Sequence, residues 1–138
     1  MRVALAMIAD TATVREGLLH ALGLGINNVG RESFPSPFNA VIVIALERRP
    51  EDSGVVEVPV RAEIRAKDSP DGEPIFEMGG TISFDNPTVD RSFYIPLVIE
   101  SQGATIPSPG GYQVTITAGD LPAIEFPFDA IELPGESQ

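Results

Sequence analysis

The chain has 138 residues, of which 43% are hydrophobic and 21% charged, and its formal net charge is −11. This balance is typical of a folded, soluble domain and excludes an intrinsically disordered chain. The absence of cysteine excludes a disulfide framework, a thiolate zinc site and a cysteine nucleophile. The length predicts a single domain, which we place at residues 1–133, followed by a loose tail at residues 134–138.

The charge is unevenly distributed along the chain. Residues 1–67 contain eight basic and eight acidic residues, whereas residues 68–138 contain twelve acidic residues and one basic residue, Arg91. Because phosphate backbones and anionic lipids repel an acidic protein that lacks a basic stripe, we expect neither nucleic acid nor membrane as a partner.

No apolar run approaches the ~20 residues that cross a bilayer. The expected location is therefore the cytoplasm, or the virion if the protein derives from a phage.

The hydrophobic pattern predicts seven or eight β-strands. Residues 3–9 form the first, since Asp10 ends the apolar run too early for a signal peptide. Residues 40–46 are continuously apolar, as expected of a central strand covered on both faces. Residues 56–67 alternate apolar and polar side chains, which is typical of a strand with one buried face. The same alternation predicts strands at residues 76–84, 93–99, 112–118 and 124–128.

The positions of proline and glycine define the predicted architecture. Turn-forming segments separate the strands at short intervals, which predicts an all-β fold of two antiparallel sheets packed as a sandwich. Pro59, Pro96 and Pro127 each stand inside a predicted strand. Because proline donates no ladder hydrogen bond, we expect these strands at sheet edges or bulges, where proline also prevents binding by strand addition. Gly79 and Gly80 indicate a bulge or the close approach of another backbone.

Residues 13–23 fit two structures. Thr13 and Glu16 match a helix capping box and are followed by leucines, which predicts a short helix. Alternatively, the larger side chains at every second position from residue 18 to residue 26 predict a strand. We favour the strand, because the glycines in this segment disfavour a helix.

The sequence contains no recognisable catalytic or metal-binding motif. His20 is the only histidine and lies among leucines, so we expect it to be a packing residue. Residues 68–73 resemble the start of a calcium loop, but the third acidic ligand and the distal glutamate are missing. We therefore expect no enzyme activity, no metal and no cofactor. A hydrolase that uses a pair of carboxylates is the remaining catalytic alternative.

The most distinctive loop is Phe34-Pro35-Ser36-Pro37-Phe38. Two aromatic rings on a backbone stiffened by proline can form a recognition patch, or they can cap the end of the core where the chain crosses between sheets. If the domain binds a partner, we expect the contacts first in the acidic second half of the chain and in this loop, and least at an open sheet edge. The candidate binding residues are Phe34, Pro35, Phe38, Arg15 and Glu16.

Two resemblances support this interpretation. One covers Ser108-Pro109-Gly110-Gly111-Tyr112-Gln113-Val114-Thr115-Ile116 and the following Ile124-Glu125-Phe126-Pro127-Phe128, which resemble the closing hairpin of immunoglobulin-like sandwiches. This resemblance implies an immunoglobulin-like fold and a Tyr112 hydroxyl bonded to nearby backbone. The other covers residues 9–19, Leu22-Gly23 and the Phe-Pro-Ser-Pro-Phe loop, which resemble an uncharacterised family of small bacterial and phage-associated proteins. That family has no assigned activity.

The functional prediction is a non-catalytic β-sandwich module that binds protein, as a free module or as a subunit of a larger assembly. Its partner is a different protein or a second copy of the chain. The structural alternative is a virion or particle component, such as a phage decoration or tail accessory protein, because compactness and acidity fit that role as well.

Overall fold

The computed structural model describes residues 1–101 and 103–134. These residues form strands and one short 3₁₀ helix (Pro50–Asp52), without any α-helix. In chain order the strands are β1 (Arg2–Ala9), β2 (Thr11–Arg15), β3 (Leu18–Leu22), β4 (Asn28–Arg31), β5 (Ser36–Pro37), β6 (Val41–Arg48), β7 (Glu57–Ala66), β8 (Phe76–Ser83), β9 (Phe93–Glu100), β10 (Thr105–Ile106), β11 (Gly110–Ala118) and β12 (Ile124–Glu132). The predicted all-β class is confirmed. Most of the predicted tail, residues 135–138, lies outside the described residues.

The strands form two larger sheets and two short strand pairs. A three-stranded sheet has the order β1-β6-β9, and a five-stranded sheet has the order β4-β12-β11-β7-β8. The short pairs are β2 with β3 and β5 with β10. The seven strands of eight or more residues correspond to the seven segments predicted from the hydrophobic pattern. Of the five shorter strands in the described part of the chain, β3 lies in the segment 18–26 where alternation predicts a strand. The other four have two to five residues, which is too short for alternation to identify them.

One strand pair departs from the predicted antiparallel arrangement. β4 runs parallel to β12, with Val29 opposite Ala130, and the Asp129 N–H donates to Asn27 O at 2.9 Å. The five-stranded sheet is therefore mixed. Because β4 has four residues and joins a strand about a hundred positions further along the chain, neither its composition nor its neighbours in sequence indicate this pairing.

One hydrophobic core receives side chains from both larger sheets. Alternate residues of β6, β7 and β11 point into it, and these are almost or completely buried, as the alternation predicts. They are Ile42, Ile44 and Leu46 on β6, Val58, Val60, Ala62 and Ile64 on β7, and Tyr112, Val114, Ile116 and Ala118 on β11. The core fixes which face of each strand is exposed.

The expectation that three prolines mark sheet edges is correct for one and wrong for two. Pro96 lies on the edge strand β9, whereas Pro59 and Pro127 lie on β7 and β12, which have neighbours on both sides. The Pro59 carbonyl accepts a hydrogen bond from Gly119 N–H at 2.8 Å, so Pro59 faces β11 just beyond the last residue of that strand. Asp129 N–H points toward β4, and the nitrogen of Pro127, two positions earlier, points to the same side. β4 begins only beyond this point, so it has no residue opposite Pro127. Both prolines sit where no ladder donor is needed.

Residues 11–22 form a β-hairpin, which we call the arm. The helix interpretation of residues 13–23 is wrong and the strand interpretation is confirmed: Arg15 pairs with Leu18, and the two residues between them, Glu16 and Gly17, have φ of 54° and 74°. Positive φ at both central positions is what a type I′ hairpin turn requires. Among the described residues, β2 and β3 pair with each other, and neither adds a strand to one of the larger sheets.

The arm covers part of the second face of the three-stranded sheet. Val43 points away from the core, because Ile42 and Ile44 on either side point into it, yet Val43 is 0% exposed. β2 lies against β6 and β9, and β3 lies against β9. The prediction that residues 40–46 form a central strand covered on both faces is therefore confirmed.

Candidate functional site

The Phe34–Phe38 loop closes one end of the core. Phe38 is 0% exposed, and its ring centroid lies 5.3 Å from that of Phe128, which stacks on Tyr112 at 5.4 Å. Phe34 is half-buried and packs against the core, and Pro35 is exposed after a cis peptide bond. The two phenylalanines therefore do not form an exposed pair, and of the two predicted roles for this loop the structure shows the capping one.

Hydrogen bonds hold this loop in place on both sides. Phe38 N–H donates to Ala104 O at 3.0 Å, and the Arg31 guanidinium donates to Phe38 O at 2.8 Å and to Gly30 O at 2.9 Å. The short strands β5 and β10 pair beside it. The loop is thus a fixed part of the framework.

The other two candidate binding residues lie together at the tip of the arm. Arg15 is the last residue of β2, and Glu16 is the first residue of the turn. Both are exposed. We predicted them as binding residues together with the Phe34–Phe38 loop, but the loop is built into the core, whereas the arm tip is open to solvent.

The arm has two faces of different burial. Residues paired across the hairpin share a face, so Ala12, Val14, Leu19 and Ala21 form the inner face. The outer face consists of Thr11, Thr13, Arg15, Leu18, His20 and Leu22, all of them exposed. Leu18 is 61% and Leu22 is 69% exposed. The outer face therefore presents two leucines to solvent beside a cationic side chain.

Apolar side chains continue beyond the arm on the second face of the three-stranded sheet. The strand register places six residues on this face that are exposed or half-buried: Leu5, Met7, Ala45, Tyr94, Pro96 and Val98. The polar side of a typical two-layer β-protein would carry charged or hydroxyl side chains here. The arm and this face together form a largely apolar surface with several exposed side chains.

A cluster of charges borders this apolar face. Glu47 lies on the same face of β6 and accepts hydrogen bonds from Arg2, at 3.1 Å, and from Arg49. These two hydrogen bonds lower the pKa of Glu47 to about 2, against an opposing effect of desolvation. The carboxylate is therefore ionised in all but strongly acidic solution.

A buried arginine at the end of β6 was not predicted from the sequence. Arg48 is 2% exposed, and it donates to Asn86 O at 2.9 Å and to Val55 O at 2.8 Å. Its guanidinium carbon lies 4.1 Å from the centre of the Phe84 ring, a cation–π contact. These contacts tie the connection between β8 and β9 to β6, so we assign Arg48 a structural role. An arginine next to an apolar strand is usually exposed, and only its contacts reveal the burial.

The one histidine of the sequence does not lie where it was predicted. His20 lies on the exposed outer face of the arm, not among packed leucines as expected. Nowhere in the described part of the chain do three histidine, aspartate or glutamate side chains lie close enough together to hold a metal ion. Among those residues no helix has the length and apolarity to span a membrane.

A comparison with protein families identifies one match. A sequence profile described as "Family of unknown function (DUF6941)" matches residues 4–131. No curated protein matches the chain. Since the matched segment includes almost the whole described fold, the chain belongs to DUF6941, a family of unknown function.

Proposed function

We propose that this protein is a non-catalytic, immunoglobulin-like β-sandwich module that binds another protein through the outer face of its arm. The observation that carries the proposal is the exposure of Leu18 and Leu22 on a hairpin that lies outside both larger sheets. A surface patch of exposed apolar side chains is typical of protein interaction sites.

The order of the strands supports the immunoglobulin-like part of the proposal. Immunoglobulin sandwiches place strands A, B and E next to each other in one sheet and strands C, F and G in the other. β1, β6 and β9 correspond to A, B and E, and β7, β11 and β12 to C, F and G. The Tyr112 hydroxyl donates to Ser108 O at 2.6 Å, as expected of a tyrosine corner.

The arm is an addition to this framework. It is inserted between β1 and β4, and neither Leu18 nor Leu22 belongs to the core. Because the two sheets pack together without Leu18 and Leu22, these side chains are free to contact a partner. Arg15 and Thr13 on the same face can donate hydrogen bonds, so the matching surface is an apolar pocket bordered by acceptor groups.

The test is affinity capture from the native host with three tagged proteins. They are the wild type, the double variant Leu18→Ser/Leu22→Ser, and the control Leu133→Ser, which changes another exposed leucine at the end of β12. We expect the wild type and the control to recover the same protein and the double variant to lose it. The recovered protein is then purified, and its affinity for all three is measured by titration.

Two outcomes contradict the proposal. One is recovery of the bait alone by all three proteins at physiological salt. The other is equal affinity of the recovered protein for the double variant and the wild type. Light scattering at several concentrations separates a second copy from a different partner, because only self-association raises the mass of the purified wild type.

A further inference from the structure

β8 is an edge strand without the protection that edge strands usually have. It is the last strand of the five-stranded sheet, and it contains neither proline nor lysine. Proteins commonly place such residues on edges to prevent pairing with another chain. Pro59, whose strand we expected at an edge or bulge, lies one strand further in, on β7. Across the gap, β9 is protected by Pro96.

The outer side of β8 has unpaired backbone groups in a regular arrangement. Phe84 N–H donates to Val56 O at 2.9 Å, and N–H groups point alternately to the two sides of a strand. Four residues therefore direct their N–H and C=O groups away from β7: Glu77, Gly79, Thr81 and Ser83. The pairing of β7 with β8 shows no register shift, so the bulge predicted at Gly79 and Gly80 is absent.

A hollow lies beside this edge because a side chain is missing at Gly80. Gly80 is opposite Val60, which points into the core, so position 80 faces inward as well. A Cβ atom added there would meet nothing within 4 Å. The result is a cavity of about 190 Å³ between the β8 and β9 edges. Its apolar lining includes Val60, Met78, Ile82, Leu97 and Ile99.

The segments around β8 are strongly acidic. Between residues 68 and 90 the chain has six acidic residues and no basic residue. Glu77 forms an ion pair with Arg61 at 2.6 Å, and the other five acids lie in the exposed connections at the two ends of β8. A second copy of the same edge would bring equal negative charges together, whereas a basic segment would be attracted.

We infer that β8 binds an extended, basic segment of another protein, which adds to the sheet as a sixth strand. Main-chain hydrogen bonds to the four outward-facing residues hold the segment, and one of its apolar side chains fills the hollow at Gly80. Lysine or arginine residues on either side of that apolar side chain meet the acidic connections. This site is separate from the arm and independent of the function proposed for it.

The probe is the labelled peptide Lys-Lys-Val-Thr-Leu-Thr-Val-Lys-Lys, and binding is measured by fluorescence anisotropy. Two peptides serve as controls, one with glutamate in place of lysine and one with serine in place of leucine. We expect binding of the basic peptide, weaker binding as salt is raised, and a loss of about tenfold or more when leucine is replaced, since a buried leucine contributes ~1.5–3 kcal/mol.

Adjacent glycines provide a matched pair of protein variants. Gly80→Leu fills the hollow and should reduce peptide affinity by about tenfold or more. Gly79→Leu makes the same change on the opposite face, where the nearest atom to an added Cβ is Val60 O at 3.7 Å, and should leave affinity nearly unchanged. Circular dichroism establishes that both variants fold.

Amide hydrogen exchange tests the pairing itself. Peptide binding should slow exchange at Glu77, Gly79, Thr81 and Ser83, while the residues between them are already protected by β7. The inference is overturned if the basic peptide binds Gly80→Leu as tightly as the wild type, if it does not bind the wild type, or if these four amides are unaffected. A protein mass that doubles in the wild type and not in Gly80→Leu would identify a second copy as the occupant and also overturn it.

Discussion

The aromatic core and the arm carry large apolar side chains in opposite surroundings. Phe128 and Tyr112 are almost completely buried between the sheets, whereas Leu18 and Leu22 are more than half exposed. Hydrophobic stabilisation scales with the apolar area removed from water, so the core side chains hold the fold together and the arm leucines contribute little to it. The difference allows stability and binding to be changed separately.

Removal of a core ring should have the largest effect. Phe128→Ala leaves a cavity between Phe38 and Tyr112 and should lower the free energy of unfolding by about 3–5 kcal/mol. Urea denaturation of the wild type and the variant measures this difference. A loss below about 1 kcal/mol would mean that this aromatic cluster is not part of the stabilising core.

Removal of one hydroxyl group from the same cluster should have an intermediate effect. Tyr112→Phe keeps the ring and deletes the hydrogen bond to Ser108 O, with an expected loss of about 0.5–1.5 kcal/mol. The same denaturation experiment measures it. An unchanged midpoint would show that this bond does not stabilise the turn before β11.

Acid should weaken the charge cluster beside the apolar face. The pKa of Glu47 is about 2 in the folded chain, below its ordinary value of 4.5, so its stabilising contribution is present above pH 4.5 and is lost between pH 4.5 and 2. Melting temperatures measured from pH 6 to pH 2 should fall less steeply for Glu47→Gln than for the wild type. Parallel curves for the two proteins would contradict this assignment.

The smallest effect on stability is expected at the arm. Leu18→Ser/Leu22→Ser changes side chains that are more than half exposed and lie outside the core, so the free energy of unfolding should stay within about 0.5 kcal/mol of the wild type. Urea denaturation beside Phe128→Ala provides the comparison. A loss similar to that of the core variant would show that the arm is part of the stabilising structure.

Local patterns in the sequence predicted the framework well. Alternation at residues 56–67 and 112–118 identified β7, β11 and their buried faces, because a half-buried strand requires that pattern. The continuous apolar run at residues 40–46 correctly indicated coverage on both faces of β6. These features depend on neighbouring residues alone.

Features that depend on distant partners were not predictable in this way. Nothing near Pro59 in sequence reveals that its nitrogen faces the end of β11, so the open edge at β8 was missed. The burial of Phe38 depends on Phe128, ninety residues further along the chain. The candidate site was therefore predicted in part: Arg15 and Glu16 are at the exposed arm tip, while Phe38 is a core residue.

The base of the arm is narrow. Asp10 N–H donates to Leu22 O at 3.1 Å, and a Cβ atom added to Gly23 would lie 2.9 Å from Asp10 Cβ, so the chain leaves and re-enters the framework at nearly one point. An insertion with adjacent ends can be shortened, lengthened or exchanged without displacing the strands that carry it. A new recognition surface could therefore be engineered on the outer face of the arm, while the inner face continues to cover Val43.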